Sequence, residues 1–290
     1  MRKAIIYISI LLVSVGAISF ISCTERADRN GNDSPKGYNL DKPIKYNMPD
    51  ELLEISGITF NNGKSDSLYA EQDEEGKVFY FKLGDKQVSH SRFGKKGDYE
   101  DIAICHNRVI MLRSDGVLFT FPLSQIRSKE VADVQKLEGL LPPGEYEGMY
   151  ADEKSRQLYI LCKHCTDEHT TKSSSGYIFA LQADGSLKQS GDFGINVKSI
   201  EKILGKKRIG FHPSALAKNV NTNEWYILSS VNKILVITDI NWNVTAVYPL
   251  NTSLFGQPEG MAFDANYNLY ISNEGSKTSE GNVLKFKYTK

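Results

Sequence analysis

An all-β fold, a five-bladed β-propeller of four-stranded antiparallel blades, is what this sequence predicts, and three observations predict it. A phrase made of a polar or acidic residue, a small residue and three or four apolar-rich positions recurs five times, beginning EISGITF (54–60), YEDIAI (99–104), YEGMYA (146–151), PSALA (213–217) and PEGMAF (258–263). Each is followed by two further strand-like runs parted by turn dipeptides such as Asp115-Gly116 and Asp184-Gly185, as antiparallel meanders require. Anchored on Gly57, Asp101, Gly148, Ala215 and Gly260, the intervals are 44, 47, 67 and 45 residues, and a period of about 40–45 with several short strands is the spacing of a propeller blade.

In chain order the first element is a targeting segment. Met1-Arg2-Lys3 is a positive start, followed by the apolar run Ala4 to Phe20 and then Ile21-Ser22-Cys23. This describes a secretory signal over residues 1–22, outside the fold. A cysteine directly after a small residue resembles the lipobox of bacterial lipoproteins, which implies lipidation of Cys23 and a location on the cell envelope, extracytoplasmic and held by lipid alone. The competing reading is an uncleaved anchor, since about 18 residues can span a bilayer. Residues 23–42 are polar and without apolar period, which predicts a flexible tether.

The propeller domain is expected over 43–290. PIKYNM (43–48) is an orphan strand before the first phrase. The second strands are SLYAEQ (67–72), RVIMLRS (108–114), QLYILC (157–162), EWYILSS (224–230) and NLYISNE (268–274), and the third are KVFYFKL (77–83), GVLFTFPL (116–123), GYIFALQ (176–182), KILVITD (233–239) and NVLKFKY (282–288). Fourth strands are expected at 87–93, 132–139, 187–194 and 244–250. The fifth blade lacks one because the given chain stops at Lys290, and the orphan strand fills that gap, closing the ring and removing two sheet edges. The long third interval is absorbed by an enlarged loop at 162–176 and a short helix within 195–210, where Val197, Ile200, Ile203 and Leu204 recur at helical spacing before Gly205.

Composition narrows the function classes. In the 290 residues 35 Lys and Arg balance 35 Asp and Glu, so no basic face is evident for nucleic acid, and 40% apolar content excludes a wholly disordered chain. Removing the signal leaves a net charge of about −2, which argues against electrostatic binding to an anionic membrane surface. A monomer is expected.

The chemistry-bearing residues lie at the start of each blade. Glu100, Glu147 and Glu259 share one register, Ser56 and Ser214 hold it in the first and fourth blades, and Glu54 lies two residues earlier. Equivalent positions of five blades converge on the axis, so the carboxylates face one another, and either protons or a cation must relieve their repulsion. Hard oxygen donors without His or Cys suit Ca²⁺ better than Mg²⁺. Glu71 and Asp73 are secondary candidates. The competing reading has these acids tying neighbouring blades through backbone amides. Cys162-Lys163-His164-Cys165 reads as a disulfide, as free thiols or as a metal site. His212 reads as a base near the channel or as a turn cap before Pro213.

The motifs EISGI, YEDIA, YEGM, HPSALA and QPEGMAFD with LYISNEG resemble the SdiA-regulated family, over roughly residues 38–288. The resemblance implies a five-bladed propeller distantly related to NHL repeats, a calcium site within it and no established activity. Two functions are therefore weighed. One is a non-catalytic module, calcium-stabilised, that binds a protein or small molecule on its top face. The other is a calcium-dependent lactonase or esterase-like hydrolase. Five repeats and an unmixed Glu ring favour binding, and no nucleophile elbow or phosphate-cradling loop is present.

Overall fold

The computed structural model describes residues 34–165 and 172–290. The signal segment and Cys23 lie outside the described residues. Strand β1 (Ile44–Asn47) comes first, and then four blades follow as meanders. They are β2 (Ile55–Thr59), β3 (Leu68–Gln72), β4 (Lys77–Phe81) and β5 (Ser89–Arg92); β6 (Tyr99–Cys105), β7 (Arg108–Arg113), β8 (Leu118–Pro122) and β9 (Gln135–Leu137); β10 (Gly144–Asp152), β11 (Gln157–Cys165), β12 (Ser173–Leu181) and β13 (Leu187–Asn196); and, after helix α1 (Val197–Leu204), β14 (Ala215–Asn219), β15 (Glu224–Ser229), β16 (Ile234–Thr238) and β17 (Val244–Pro249). The fifth contains β18 (Pro258–Phe263), β19 (Leu269–Asn273) and β20 (Asn282–Phe286), and β1 completes it as the outer strand. The pairing is antiparallel, from Ile44 opposite Lys285 to Asn47 opposite Asn282. The fold is thus a five-bladed propeller closed by its N-terminal strand.

The small anchor residues have a steric cause. The first strands of adjacent blades pack directly on one another around the ring. A Cβ on Gly57 would lie 2.5 Å from the Asp101 Cα of the next blade, and one on Gly260 would lie 2.3 Å from the Ser56 carbonyl oxygen. Polar side chains stitch the same seams: Ser56 Oγ donates to the Glu100 carbonyl at 3.1 Å, Ser214 Oγ to that of Pro258 at 3.0 Å and Ser272 Oγ to that of Ser56 at 2.6 Å. The Asp101 carboxylate accepts from Ile102 N at 2.8 Å and from Met149 N of the third blade at 2.6 Å. An acid-to-amide tie between first strands of neighbouring blades therefore exists, but the anchor Asp101 makes it, and not the glutamates beside the anchors.

Each of the five apolar clusters lies between two neighbouring blades, so burial holds the blades to one another as well as within themselves. The cluster between the fourth and fifth blades also contains Tyr38 and Leu40. Tyr38 packs edge-on to Tyr226 and donates to the Tyr267 carbonyl at 2.7 Å. Residues expected as the end of the tether are thus part of the folded domain. Two isolated apolar side chains in a polar stretch leave no periodic signal, yet they fill a seam.

The third blade differs from expectation in a second place. Instead of a large loop at 162–176, β11 continues to Cys165 and β12 begins at Ser173. The extra residues lengthen the ladders of β11 with β10 and of β12 with β13, and Ser174 is buried, donating to the Cys162 carbonyl at 3.2 Å. Helix α1 follows from local chemistry: the Asn196 side chain caps Ser199 N at 3.2 Å, and Gly205 ends the helix with φ 65°. Val197 and Ile200 are buried between the third and fourth blades. Among the described residues no helix is long and apolar enough to cross a membrane.

Candidate functional site

The first strands of all five blades begin on one face of the ring, termed the upper face, and the ends of the second strands return to it. A local irregularity equips that face. The ladder between first and second strands slips between Tyr99 and Asp101, between Tyr146 and Gly148 and between Pro258 and Gly260. The residue skipped each time is Glu100, Glu147 or Glu259. A β-bulge leaves its extra residue unpaired and re-aims the side chain. The glutamates are therefore products of one repeated bulge.

The structure brings these three acids into mutual electrostatic contact. Burial first, and then Glu147 and Asp98, push the Glu100 carboxyl up to about 9. Burial and Glu147 raise Glu259 to about 7, opposed by a hydrogen bond from Ser230. Burial raises Glu147 to about 7 as well, against the pull of Lys163. Glu54 is placed with a second group: it repels both Asp73 and Glu274. Burial, and then Glu54, raise Asp73 to about 6, while burial, Glu259 and Asp73 raise Glu274 to about 8. Ser56 and Ser214 do not join the ring, because their hydroxyls are spent on the blade seams.

Lys163, Glu274 and Asp98 belong to this site without having been singled out in the sequence. Lys163 Nζ contacts Glu147 Oε1. Burial works against the Lys163 ammonium, but Glu147, Glu100 and Glu259 hold its pKa above the usual lysine value. A signal for Lys163 and Glu274 does exist. The residue after Gln72, Arg113, Cys162, Ser229 and Asn273 in the second strands is Asp73, Ser114, Lys163, Ser230 and Glu274, a second set in one register. One of the five is a base.

Three buried oxygens complete the inventory. Glu71 is fully buried; its Oε1 accepts from Gly57 N at 2.5 Å, while Oε2 has no partner. Asp73 Oδ1 and Asn273 Oδ1 are likewise unpartnered. Burial drives the Glu71 carboxyl well above the usual range, against the Gly57 amide. Orphaned buried oxygens beside crowded carboxylates are what a hard cation requires. These donors are of the kind calcium takes, but among the described residues no three of the axial carboxylates bring ligand oxygens within 4.8 Å of one another, so a bound ion would have to draw them together. Glu54, Glu71, Asp73, Glu100, Glu259, Glu274 and Asn273 are the residues able to hold it, whereas Glu147 already has the Lys163 ammonium.

Beside these acids is a cavity of about 320 Å³ lined by Glu147, Lys163, His212, Ser230, Lys233 and Glu259, among others. Lys233 Nζ donates to the Gly256 carbonyl. The His212 ring stacks on His164 with centroids 6.1 Å apart, and its backbone N donates to Asn232 Oδ1 at 3.1 Å. Cys162 and Cys165 form a disulfide that flanks Lys163 on its strand. A second cavity, of about 700 Å³, opens on the opposite, lower face. Its walls include Ile58, Ile102, Met149, Leu216 and Met261 from the first strands.

These titrations give the metal-free protein a pH dependence of definite sign. Each raised carboxyl binds a proton in the native state that the unfolded chain has released, so its contribution is full below the unfolded value and is lost as pH rises through the folded value. In chelator the melting temperature is expected to fall from about pH 4.5 up to about pH 9. Added calcium should remove most of the fall. A chelator-treated sample that melts at the same temperature across this window contradicts the assignment.

Comparison with known proteins agrees with the architecture. No curated protein matches the sequence. Glutaminyl cyclase from Myxococcus xanthus is similar in structure with a TM-score of 0.57 at 15% identity, over 85% of this chain and 96% of that one. A luciferin-regenerating enzyme is similar at 0.55 and 10% identity, over 85% and 95%. Regucalcin from Agrobacterium tumefaciens, a calcium-binding protein, is similar at 0.50 and 13% identity, over 87% and 95%. At such identities the likeness concerns the fold alone. The SdiA-regulated family model matches residues 38–277, from the buried Tyr38 to the upper-face loop after Glu274, and the chain belongs to the SdiA-regulated family.

Proposed function

We propose that the protein is a lipid-anchored module of the bacterial cell envelope whose propeller binds calcium at the upper mouth and presents that face to a ligand without catalysing a reaction. The observation that carries this reading is the set of bulge-projected carboxylates beside three unpartnered buried oxygens. Calcium bound there supplies positive charge to Glu54, Asp73, Glu100, Glu259 and Glu274 and fixes the loops that bear them. Lys163 already serves Glu147, so the bound ion has fewer charges to neutralise. The upper cavity, with Lys233, Ser230 and His212 beside the acids, is the recess for a small molecule or a partner's side chain. Lipidation at Cys23, after cleavage of residues 1–22, holds the propeller at the membrane. Regucalcin's calcium binding is consistent with a metal in this fold and specifies no ligand of this chain.

The hydrolase alternative makes a different prediction. A panel of lactones and aryl esters, with calcium and with chelator, is expected to show no turnover above background. Calcium-dependent turnover that Glu259→Gln abolishes would replace the binding reading with the hydrolytic one.

A further inference from the structure

We propose that Cys105, His106 and Glu153 form a zinc site on the lower face, clamping the second blade to the third, at the end of the ring remote from the axial acids. Among the described residues this is the one trio of His, Cys, Asp or Glu whose ligand atoms all lie within 4.8 Å of one another; the axial acids are spread more widely. Cys105 ends β6, and His106 and Asn107 form the two-residue loop to β7, both with positive φ, at 47° and 60°. That turn places the imidazole directly after the thiol. Glu153 comes from the corresponding turn of the third blade, between β10 and β11.

The trio is already assembled. The His106 backbone N donates to Glu153 Oε2 at 2.7 Å, which leaves Oε1 at 3.9 Å from His106 Nε2. Cys105 is buried, and its sulfur makes a long contact, 3.8 Å, to the Asp152 carbonyl and a second one to the Glu153 carboxylate. A tetrahedral zinc ion with bonds of about 2.0–2.3 Å spaces its ligand atoms roughly 3.3–3.7 Å apart, so closure by about 1 Å suffices. Sulfur, imidazole nitrogen and carboxylate oxygen together favour Zn²⁺ over the hard cation expected on the upper face. With three protein ligands, the fourth position is left to water. Glu153 also borders the lower cavity, so that position faces a recess lined by Asp152 and Lys154.

Two neighbours oppose binding. The Glu153 carbonyl oxygen lies 2.7 Å from His106 Nε2 and must be given up when that nitrogen takes a metal, and Arg156 crowds the same atom. Arg156 Nε donates to His106 Nε2 at 3.1 Å, and its guanidinium repels a cation. Arg156 is exposed and can turn into solvent. On coordination the Cys105 S–H bond breaks and its proton passes to the buffer as the metal–sulfur bond forms, with no change of oxidation state. The side chains of His106 and Glu153 are 35% and 42% exposed, enough for an ion to enter.

Cobalt titration of the chelator-treated, full-length protein, with calcium then restored to fill the upper mouth, tests the site. Expected is one equivalent of Co²⁺, a thiolate-to-cobalt charge-transfer band that Zn²⁺ displaces, and a higher melting temperature with zinc. His106→Ala and Glu153→Gln, both at exposed side chains, should weaken zinc binding at least roughly tenfold. Arg156→Ala should tighten it, and Cys105→Ser should lose the band. A purely structural Arg156–His106–Glu153 cluster gives no charge-transfer band in folded protein. That result, or a band that survives both His106→Ala and Cys105→Ser, overturns the proposal.

Discussion

A chain lacking residues 43–48 is expected to lose its ring altogether, melting far below the parent or failing to fold at 37 °C. Strand β1 contributes four paired residues to β20, and Met48 N adds a hydrogen bond to the Gly281 carbonyl at 2.8 Å. Net values near 1 kcal/mol per hydrogen bond, with about 2–5 kcal/mol for removing the buried Met48 side chain, bring the loss to roughly 5 kcal/mol or more. That approaches the whole stability of an ordinary domain, about 5–15 kcal/mol. The deletion also bares β20, whose Val283, Leu284 and Phe286 are buried, as an unpaired edge. Such an edge recruits other chains, so oligomers should accompany the loss in size-exclusion chromatography. A synthetic peptide covering 42–49 should restore part of the stability by strand addition. Unchanged melting of the truncated chain refutes ring closure as the source of stability.

Calcium should act in the opposite direction and with comparable force. At free calcium 100-fold above the dissociation constant, linkage stabilises the native state by about 2.7 kcal/mol. For a domain of this size that corresponds to roughly 5–10 °C in melting temperature. Glu100→Gln separates this from any unspecific effect of salt. Burial, Glu147 and Asp98 hold the Glu100 carboxyl at about 9, so replacing it by an amide removes a repelled charge. The variant is expected to be as stable as the parent in chelator, or slightly more stable at pH 9, and to have lost most of the calcium response. The same substitution at an exposed acid such as Glu130 should leave that response intact. A full response in Glu100→Gln contradicts its place among the ligands.

The fold was legible because five repeats carry the same errand at the same positions. Gly57, Gly148 and Gly260 mark where a first strand touches the next blade, and at Gly57 and Gly260 that contact leaves no room for a side chain. The orphan strand was legible by subtraction, as the fifth blade is one strand short. Glu100, Glu147 and Glu259 were legible because they precede the anchors; the bulge that aims them leaves no mark in the sequence beyond that position.

What escaped the sequence did so for physical reasons. Lys163 sits in the cysteine-flanked run, which invites attention to the thiols, yet its register with Asp73 and Glu274 places it at the mouth. Its ammonium means that an internal base relieves part of the carboxylate repulsion. Tyr38 and Leu40 become core residues only through a seam formed by distant blades. The lengthened start of β12, paired with β13, contains three consecutive serines, which locally favour a loop, and tertiary burial of Ser174 prevails over that preference. Cys105, His106 and Glu153 are brought together by two turns 47 residues apart, one blade period, a proximity that only the ring creates.

Calorimetric titration of the chelator-treated protein with calcium decides whether the upper-face carboxylates form a calcium site. One saturable site is expected, weakened tenfold or more in both Glu100→Gln and Glu259→Gln and unaffected by His106→Ala on the lower face. Absence of any saturable heat at millimolar calcium, or binding that survives both upper-face substitutions, would contradict it.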